Sequence, residues 1–358
     1  MLATIESKNA AIDKLNKMIE NGRVSATKVI EHVMNNQPLD TVAKASTFQF
    51  SPNEAAKTIN LHFGSDGQHQ TLHRNAIGQM AEVANMPIKY LDYLSGPSWG
   101  RELLAHSLEK IYHNAHPKDR YLLRSTNQQI RGFLSDKYRR LDSRAIVEAF
   151  ADAVMKKGAL PYEGIVTDTK VAIRAIMPEV FEPTPGEVVC VGISLENSDF
   201  GCGALSVRIY LLRIWCSNLA MFEETMRQIH LGKRLDDNLL YSQQTYQLDA
   251  RTTVSALRDT IAVQMDLASL RNRMETVKVA AAKELDPKTV QNHLKKVLSK
   301  AEADAAFQAF NSPDVYNLPA GNNIWRMSNA ISWIANSTDN QERKLDLQRI
   351  AGEILPAA

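Results

Sequence analysis

Apolar residues recur at helical spacing through the first third of the chain. Ile12, Leu15, Met18 and Ile19 lie on one face of residues 11–19, and Ser25-Ala26-Thr27 offers cap residues for a second helix ending before Asn35-Asn36-Gln37-Pro38. Residues 72–94 repeat the pattern, broken at Asn85-Met86-Pro87 and stopped at Ser95-Gly96-Pro97, where proline removes a backbone donor and glycine permits positive φ. Residues 48–63 fit neither period cleanly.

The period then changes. Residues 121–124 and 129–134 read as strands around a turn at Ser125-Thr126-Asn127. Asp142 then takes an N-cap position ahead of Ala145, Ile146, Ala149, Phe150, Ala153 and Val154, the apolar face of a helix over 143–157. Strand-like runs follow at 164–167, 170–177, 187–195 and 204–215, and the segment 178–186 is too rich in proline for a central strand. Helical spacing returns with Val254, Leu257, Ile261, Met265, Ala268, Met274, Val277 and Ala281, a stripe through 250–285 that ends at Asp286-Pro287. Further helices are expected over 288–310 and 323–335, the latter with Trp325, Ile331 and Trp333. The expected fold is α+β: an antiparallel sheet with a hairpin–helix–strands core, flanked by helical N-terminal and C-terminal regions. The expected division is a mostly helical region 1–117, a core 118–240 with a basic sheet, and long C-terminal helices 241–358.

Composition narrows the class. A chain of 358 residues, 44% hydrophobic and 23% charged, can build substantial cores. No apolar run approaches the roughly 18–20 residues needed to cross a bilayer, and the first thirty residues are charged throughout, unlike a secretory signal; a cytoplasmic protein without a membrane partner is expected. Cys190, Cys202 and Cys216 have no CxxC spacing and read as reduced thiols on strands.

Charge distribution adds the first functional hint. The net charge is only +2, yet residues 118–144 hold eight basic side chains against Asp119, Asp136 and Asp142. By strand alternation Arg120, Leu122 and Arg124 share one face of the hairpin, and Gln129, Arg131 and Phe133 share one on the return strand. Lys137, Tyr138, Arg139 and Arg140 extend this surface, while Lys170 with Arg174, and Arg208 with Tyr210, project together from later strands. Arginine matches phosphate oxygens bidentately, and an aromatic face stacks on an unpaired base. The competing reading is a solvated face paired with its own aspartates.

Other chemistry finds less footing. His62, His69 and His73, and His106, His113 and His116, lack the convergent spacing of a metal site and read as surface or capping residues. Glu223-Glu224 and Asp236-Asp237 are sequence neighbours that diverge on a helix. Gly201-Cys202-Gly203 lacks the third glycine of a dinucleotide fingerprint, and neither GxxxxGK[ST] nor GxSxG occurs. No cofactor, no metal and no catalytic residue is expected.

Three stretches in this order carry a resemblance: residues 133–150, with Ser135, Asp136, Tyr138, Leu141 and Asp142; residues 208–222, with Cys216 and Asn218; and residues 322–337, with Trp325, Asn329 and Ala330. Together they resemble the phage/plasmid-like family of domain-of-unknown-function proteins of bacteriophages and mobile plasmids. That resemblance implies a role in DNA metabolism. The outline of the core is similar, as a fold-level analogy, to single-strand annealing proteins of the RecT, Redβ and Erf class. The leading expectation is a non-catalytic, homo-oligomeric protein of a phage or mobile element that binds single-stranded DNA and promotes ATP-independent annealing or recombination. Its contacts would come from Arg124, Arg131, Lys137, Arg139, Arg140, Lys170, Arg174 and Arg208, with Tyr138 or Tyr210 stacking. The alternative is a non-enzymatic interaction or scaffolding protein that acts on a host or phage protein partner.

Overall fold

The structure is a computed structural model that describes residues 5–64, 68–116, 119–228 and 242–356. It begins with α1 (Ile5–Asn35), β1 (Leu39–Lys44), β2 (Gln49–Asn53), β3 (Thr58–Phe63) and β4 (Gln68–Leu72). Three helices follow, α2 (Arg74–Val83), α3 (Ile88–Ser95) and α4 (Ser98–Asn114), then the hairpin β5 (Arg120–Thr126) and β6 (Gln129–Ser135), then α5 (Ser143–Lys156). The second half of the strands is β7 (Leu160–Val166), β8 (Val171–Ile176), β9 (Phe181–Thr184), β10 (Glu187–Asn197), β11 (Leu205–Arg213) and β12 (Asn218–Gln228). The helices α6 (Gln243–Gln264), α7 (Leu267–Ala282), α8 (Pro287–Val297), α9 (Lys300–Asn311), α10 (Pro313–Tyr316), α11 (Ile324–Asn336) and α12 (Gln341–Glu353) close the chain.

The fold is α+β, as the periodicity implies, but it is organised by two sheets rather than one. The first has the order β1-β5-β6-β4-β3-β2, antiparallel except for the β4–β6 pair. The second has the antiparallel order β12-β11-β10-β8-β7, with β9 added beside β10. The hairpin β5–β6 therefore completes a sheet whose other four strands come from the region expected to be mostly helical, and the expected boundary at 117/118 falls within that sheet's chain segment. The boundary at 240/241 lies outside the described residues, as do Asp236 and Asp237. In β3 the buried residues Ile59, Leu61 and Phe63 alternate with half-buried polar ones, the period of a strand. In β1 and β2 nearly every position is at least partly exposed, which hides the alternation.

The first sheet covers its core on one face with α2, α3 and α4. The second sheet is buried on both faces. Val189, Val191, Ile193 and Leu195 of β10 face α5 and the C-terminal helices, while Val188 and Cys190 face α1 and α12. The apolar stripe of α6 and α7 thus packs against the sheet. It is interrupted after Gln264, and the 288–310 helix is divided where Ser299 and Glu302 form a reciprocal capping box. The proline-rich segment 178–186 does hold a short strand, β9, and it lies off the central path, where proline is tolerated. Of the cysteines, Cys190 is on a strand; Cys202 and Cys216 sit in turns.

Residues 5–35 form one helix rather than two, and the reason lies at Gly22. Helix α1 lies across the edge strand β7 so closely that a Cβ on Gly22 would sit 1.6 Å from the Tyr162 carbonyl oxygen. Ser25, expected as a cap, instead donates to the Gly22 carbonyl (2.7 Å) and accepts from the Gly164 amide (3.0 Å). Helix and strand are thereby joined and the sheet edge is covered. Gly22→Ala, which favours a free helix by about 1 kcal/mol, is expected instead to destabilise the folded protein by about 1–3 kcal/mol through overpacking. Urea unfolding checks the sign.

Candidate nucleic-acid interface

The hairpin turn decides which way the arginines point. Asn127 and Gln128 both have positive φ (51° and 60°), the conformation of a two-residue hairpin loop, so Ser125 and Thr126 belong to β5 rather than to the turn. A register shift between Arg124 and Ser125 follows. Arg124 pairs with Gly132, whereas Leu123 pairs with Phe133. Phe133 stacks on Tyr121 in the first core (4.3 Å between ring centres), so it is not the ring expected among the arginines.

Arg124 faces the second sheet and is 1% exposed. Its Nε donates to Asp40 Oδ1 (2.7 Å), one terminal nitrogen to the Asp199 carbonyl (2.8 Å), and the other to the Asp142 carboxylate. Burial works against this charge, but Asp142 and Asp40 outweigh it and raise the guanidinium pKa. Asp142 stands at the N-cap of α5 without capping it, because Arg124 holds its carboxylate. Asp199 substitutes, accepting from the Ser143 amide (2.7 Å) and hydroxyl (2.9 Å). Arg124 is thus an internal tie and not a phosphate contact.

Arg174 and Tyr210 are interior residues, not nucleic-acid contacts, for a related reason. They do share a face of the second sheet with Arg208, but α1 and α12 cover it. Arg174 bonds Glu163 and donates to Gln348 Oε1 (2.6 Å), and the fully buried Tyr210 hydroxyl donates to the Ala175 carbonyl (3.1 Å). Glu163 is half-buried, and although desolvation works against its charge, Arg174 and Lys344 hold its carboxyl below the ordinary carboxylate range. Arg208 is half-buried and directs a guanidinium nitrogen at the Phe222 carbonyl (3.4 Å). Tyr138 is 6% exposed, which removes it from stacking on an external base.

The loop cations are half-buried and mostly engaged. Arg139 forms a two-pronged bond with Asp249 and also donates to Thr253 (2.9 Å); Arg140 pairs with Asp40 (2.9 Å) and lies over the Tyr246 ring. Lys137 is half-buried, its amide donating to the Ser135 hydroxyl (3.2 Å). The paired-face reading therefore describes much of this segment, although most of the partners come from outside it.

Arg131 and Lys170 both line one small void. A hollow of about 530 Å³ lies beside the β5–β6 turn, and a cleft of about 1210 Å³ lies between α2–α3 and the β7–β8 turn. A void of about 20 Å³ has walls in common with both: Thr126 and Arg131 line it and the smaller hollow, while Thr167 to Lys170 line it and the larger one. Arg131 lies over the Phe200 ring (5.2 Å) and 3.6 Å from the exposed Asp168 carboxylate. His32 and His73 are pushed below the ordinary histidine value, first by burial and then by the charge of Arg131. His73 also caps α2, accepting from the Asn75 amide (3.2 Å), one of the capping roles expected for the histidines.

The larger cleft mixes charged residues, Arg74, Glu82, Asp92, Asp168 and Glu342, with neutral hydrogen-bonding groups that carry no motif. Asn75 and Gln79 project from α2, with Asn340 and Gln341 at the start of α12. Asn75 Oδ1 accepts from Cys202 (2.7 Å), and Gln79 donates to the Phe200 carbonyl (2.8 Å). Among the neutral lining groups, the amide-rich run Asn127-Gln128-Gln129 is the one local sequence signal.

No family model matches the sequence, and searches of curated proteins and of solved structures find no significant similarity. The positions behind the phage-type resemblance lie largely within the architecture. Tyr138, Leu141 and Asp142 surround the Arg124 tie. Asn218 donates to the Asn329 carbonyl (3.1 Å), Trp325 donates to Glu187 (3.3 Å), and Arg213 connects Glu187 to Cys216. Ala330 is buried beside them, and Asp136 lies 4.0 Å from Arg120.

Burial raises the Asp199 pKa to about 6, partly opposed by Arg124 and the Ser143 bonds. The folded state therefore holds this proton more tightly than the unfolded chain does. Between pH of about 4 and 6 this residue alone lowers stability as pH rises. Asp199→Asn is expected to remove that contribution, so that the stability difference between variant and wild type grows in the variant's favour from pH 4 to pH 7. Thermal unfolding of both proteins across that range measures it.

Proposed function

We propose that this protein binds single-stranded DNA along a groove made of the two hollows, as a non-catalytic DNA-metabolism protein of a phage or mobile element. The observation that supports this reading is the placement of Arg131 and Lys170 around one small void whose walls are shared with two hydrogen-bond-rich hollows. Arg131 at the wall of the smaller hollow and Lys170 at the wall of the larger cleft would hold phosphates on either side of the void, where Asp168 competes for Arg131. Amides and hydroxyls on either side would accept unpaired bases and leave a strand available for annealing, without ATP or a metal. The larger cleft also carries Glu82, Asp92 and Glu342, so its affinity for phosphate is low and base contacts dominate there. The strand-binding surface proposed is therefore narrower than an open basic sheet.

A second reading, an interaction or scaffolding protein, is favoured by one observation. Tyr93 and Trp99, 62% and 53% exposed, pair edge-to-face on α3–α4 beside exposed Ile88 and Tyr90. Self-association or binding of a protein partner would use this patch rather than the C-terminal stripe, whose large apolar residues Leu257, Ile261, Met265, Met274 and Val277 are buried in the core of the second sheet.

Binding of a fluorescent single-stranded oligonucleotide across a salt series tests the first reading. At about 0.7 per phosphate on a single strand, two contacts give a log–log slope near −1.4, and Arg131→Ala or Lys170→Ala each makes it shallower by about 0.7. Lys278→Ala on α7 leaves it unchanged. An absence of binding at low salt removes the reading.

A further inference from the structure

The smaller hollow holds features that strand binding alone does not use. Gln70 Oε1, Thr126 Oγ1 and Arg131 Nε are closed off from solvent around it, and none has a hydrogen-bond partner. Thr126 is 6% exposed, and its hydroxyl bonds nothing. Buried polar groups are almost always satisfied, so three orphans around one hollow are an incomplete set. The adjoining 20 Å³ void has room for a single water beside Thr126 and Arg131, but Gln70 does not line it, so water there leaves the set unfinished.

The missing partner can be described by its chemistry. A guanidinium N–H and a hydroxyl donate to an anionic oxygen, whereas an amide oxygen accepts from an N–H or a sugar hydroxyl. Charge sharpens the description: the hollow is lined by Arg131 and His69 and, among the described residues, by no carboxylate, unlike the larger cleft. Its volume of about 530 Å³ is that of a small-ligand site.

We propose that this hollow binds a phosphate monoester carried on a nucleoside, with the phosphate on Arg131 and Thr126 and the base or sugar on Gln70. Two sources share that chemistry: the phosphorylated end of a strand lying in the groove, and a free mononucleotide. The first source rests on the strand-binding reading and the second does not. Because the three atoms are closed off from solvent, binding turns the three side chains towards the ligand and in doing so gives each of them a partner. It also marks the hollow as the end of the groove, where a strand terminates.

The test compares one oligonucleotide bearing a 5′-phosphate, a 3′-phosphate or hydroxyls only, by competition at fixed salt, together with calorimetric titration of a nucleoside monophosphate. A terminal phosphate in the hollow strengthens binding by about tenfold at one of the two ends, and Thr126→Val or Gln70→Leu brings that ratio towards one. Melting curves confirm that each variant is folded. Equal affinity for all three oligonucleotides, with no mononucleotide binding, overturns the inference and leaves the groove reading standing. If no oligonucleotide binds, the groove reading falls and titration decides: mononucleotide binding lost in Thr126→Val supports the hollow, and no binding overturns it.

Discussion

The buried guanidinium of Arg124 is the constraint on which the arrangement of the two sheets depends. Its partners come from β1 of the first sheet, from the start of α5, and from the loop after β10 of the second sheet. Removing one member of a buried, paired set costs about 3–5 kcal/mol because the remainder stays charged without compensation. The same contacts fix the neighbourhood. Asp40 also holds Arg140, Asp199 starts α5 through Ser143, and Asn197 donates to Leu141 and Ser143. Arg131, on the same hairpin, is thereby set against Phe200 and the β7–β8 turn, and that placement puts it in the wall of the small void.

Arginines recur as interior ties elsewhere. Across the second sheet Glu163, Arg174, Ser194 and Arg208 lie in one cross-strand row, a polar line on a face otherwise packed with apolar residues. Helix α12 lies over this face so closely that a Cβ on Gly352 would sit 1.4 Å from the Met221 carbonyl oxygen. Both covering helices come from the ends of the chain, so a face that reads locally as half-polar and open to solvent is enclosed by segments far away in sequence.

This explains what the sequence discloses and what it withholds. The hairpin, α5 and strands β8, β10 and β11 are legible because their periods are local, whereas the alternation of β3 lies within 48–63, where the largely exposed β2 beside it blurs the period. The break between α6 and α7 is hidden because the apolar stripe runs on through it, whereas the break before α9 is written in the Ser299–Glu302 capping box. Charge density marked Arg131 and Lys170 together with the interior arginines. It could not distinguish them from Arg124 and Arg174, because that distinction depends on Asp40, Asp199, Glu163 and Gln348, which reach these arginines only in the folded chain. The neutral groups lining the two hollows were least visible, since Asn, Gln and Thr leave no spacing signature.

The Arg124 tie also has a temporal side. Its partners stand 84, 18 and 75 residues away along the chain, the last of them at Asp199. During synthesis the hairpin can pair well before that residue emerges, leaving a guanidinium that must stay hydrated while the first sheet gathers around it. Contacts of such long separation slow folding because loop closure precedes their reward. The tie between the two sheets therefore cannot be complete until the chain has been made as far as Asp199.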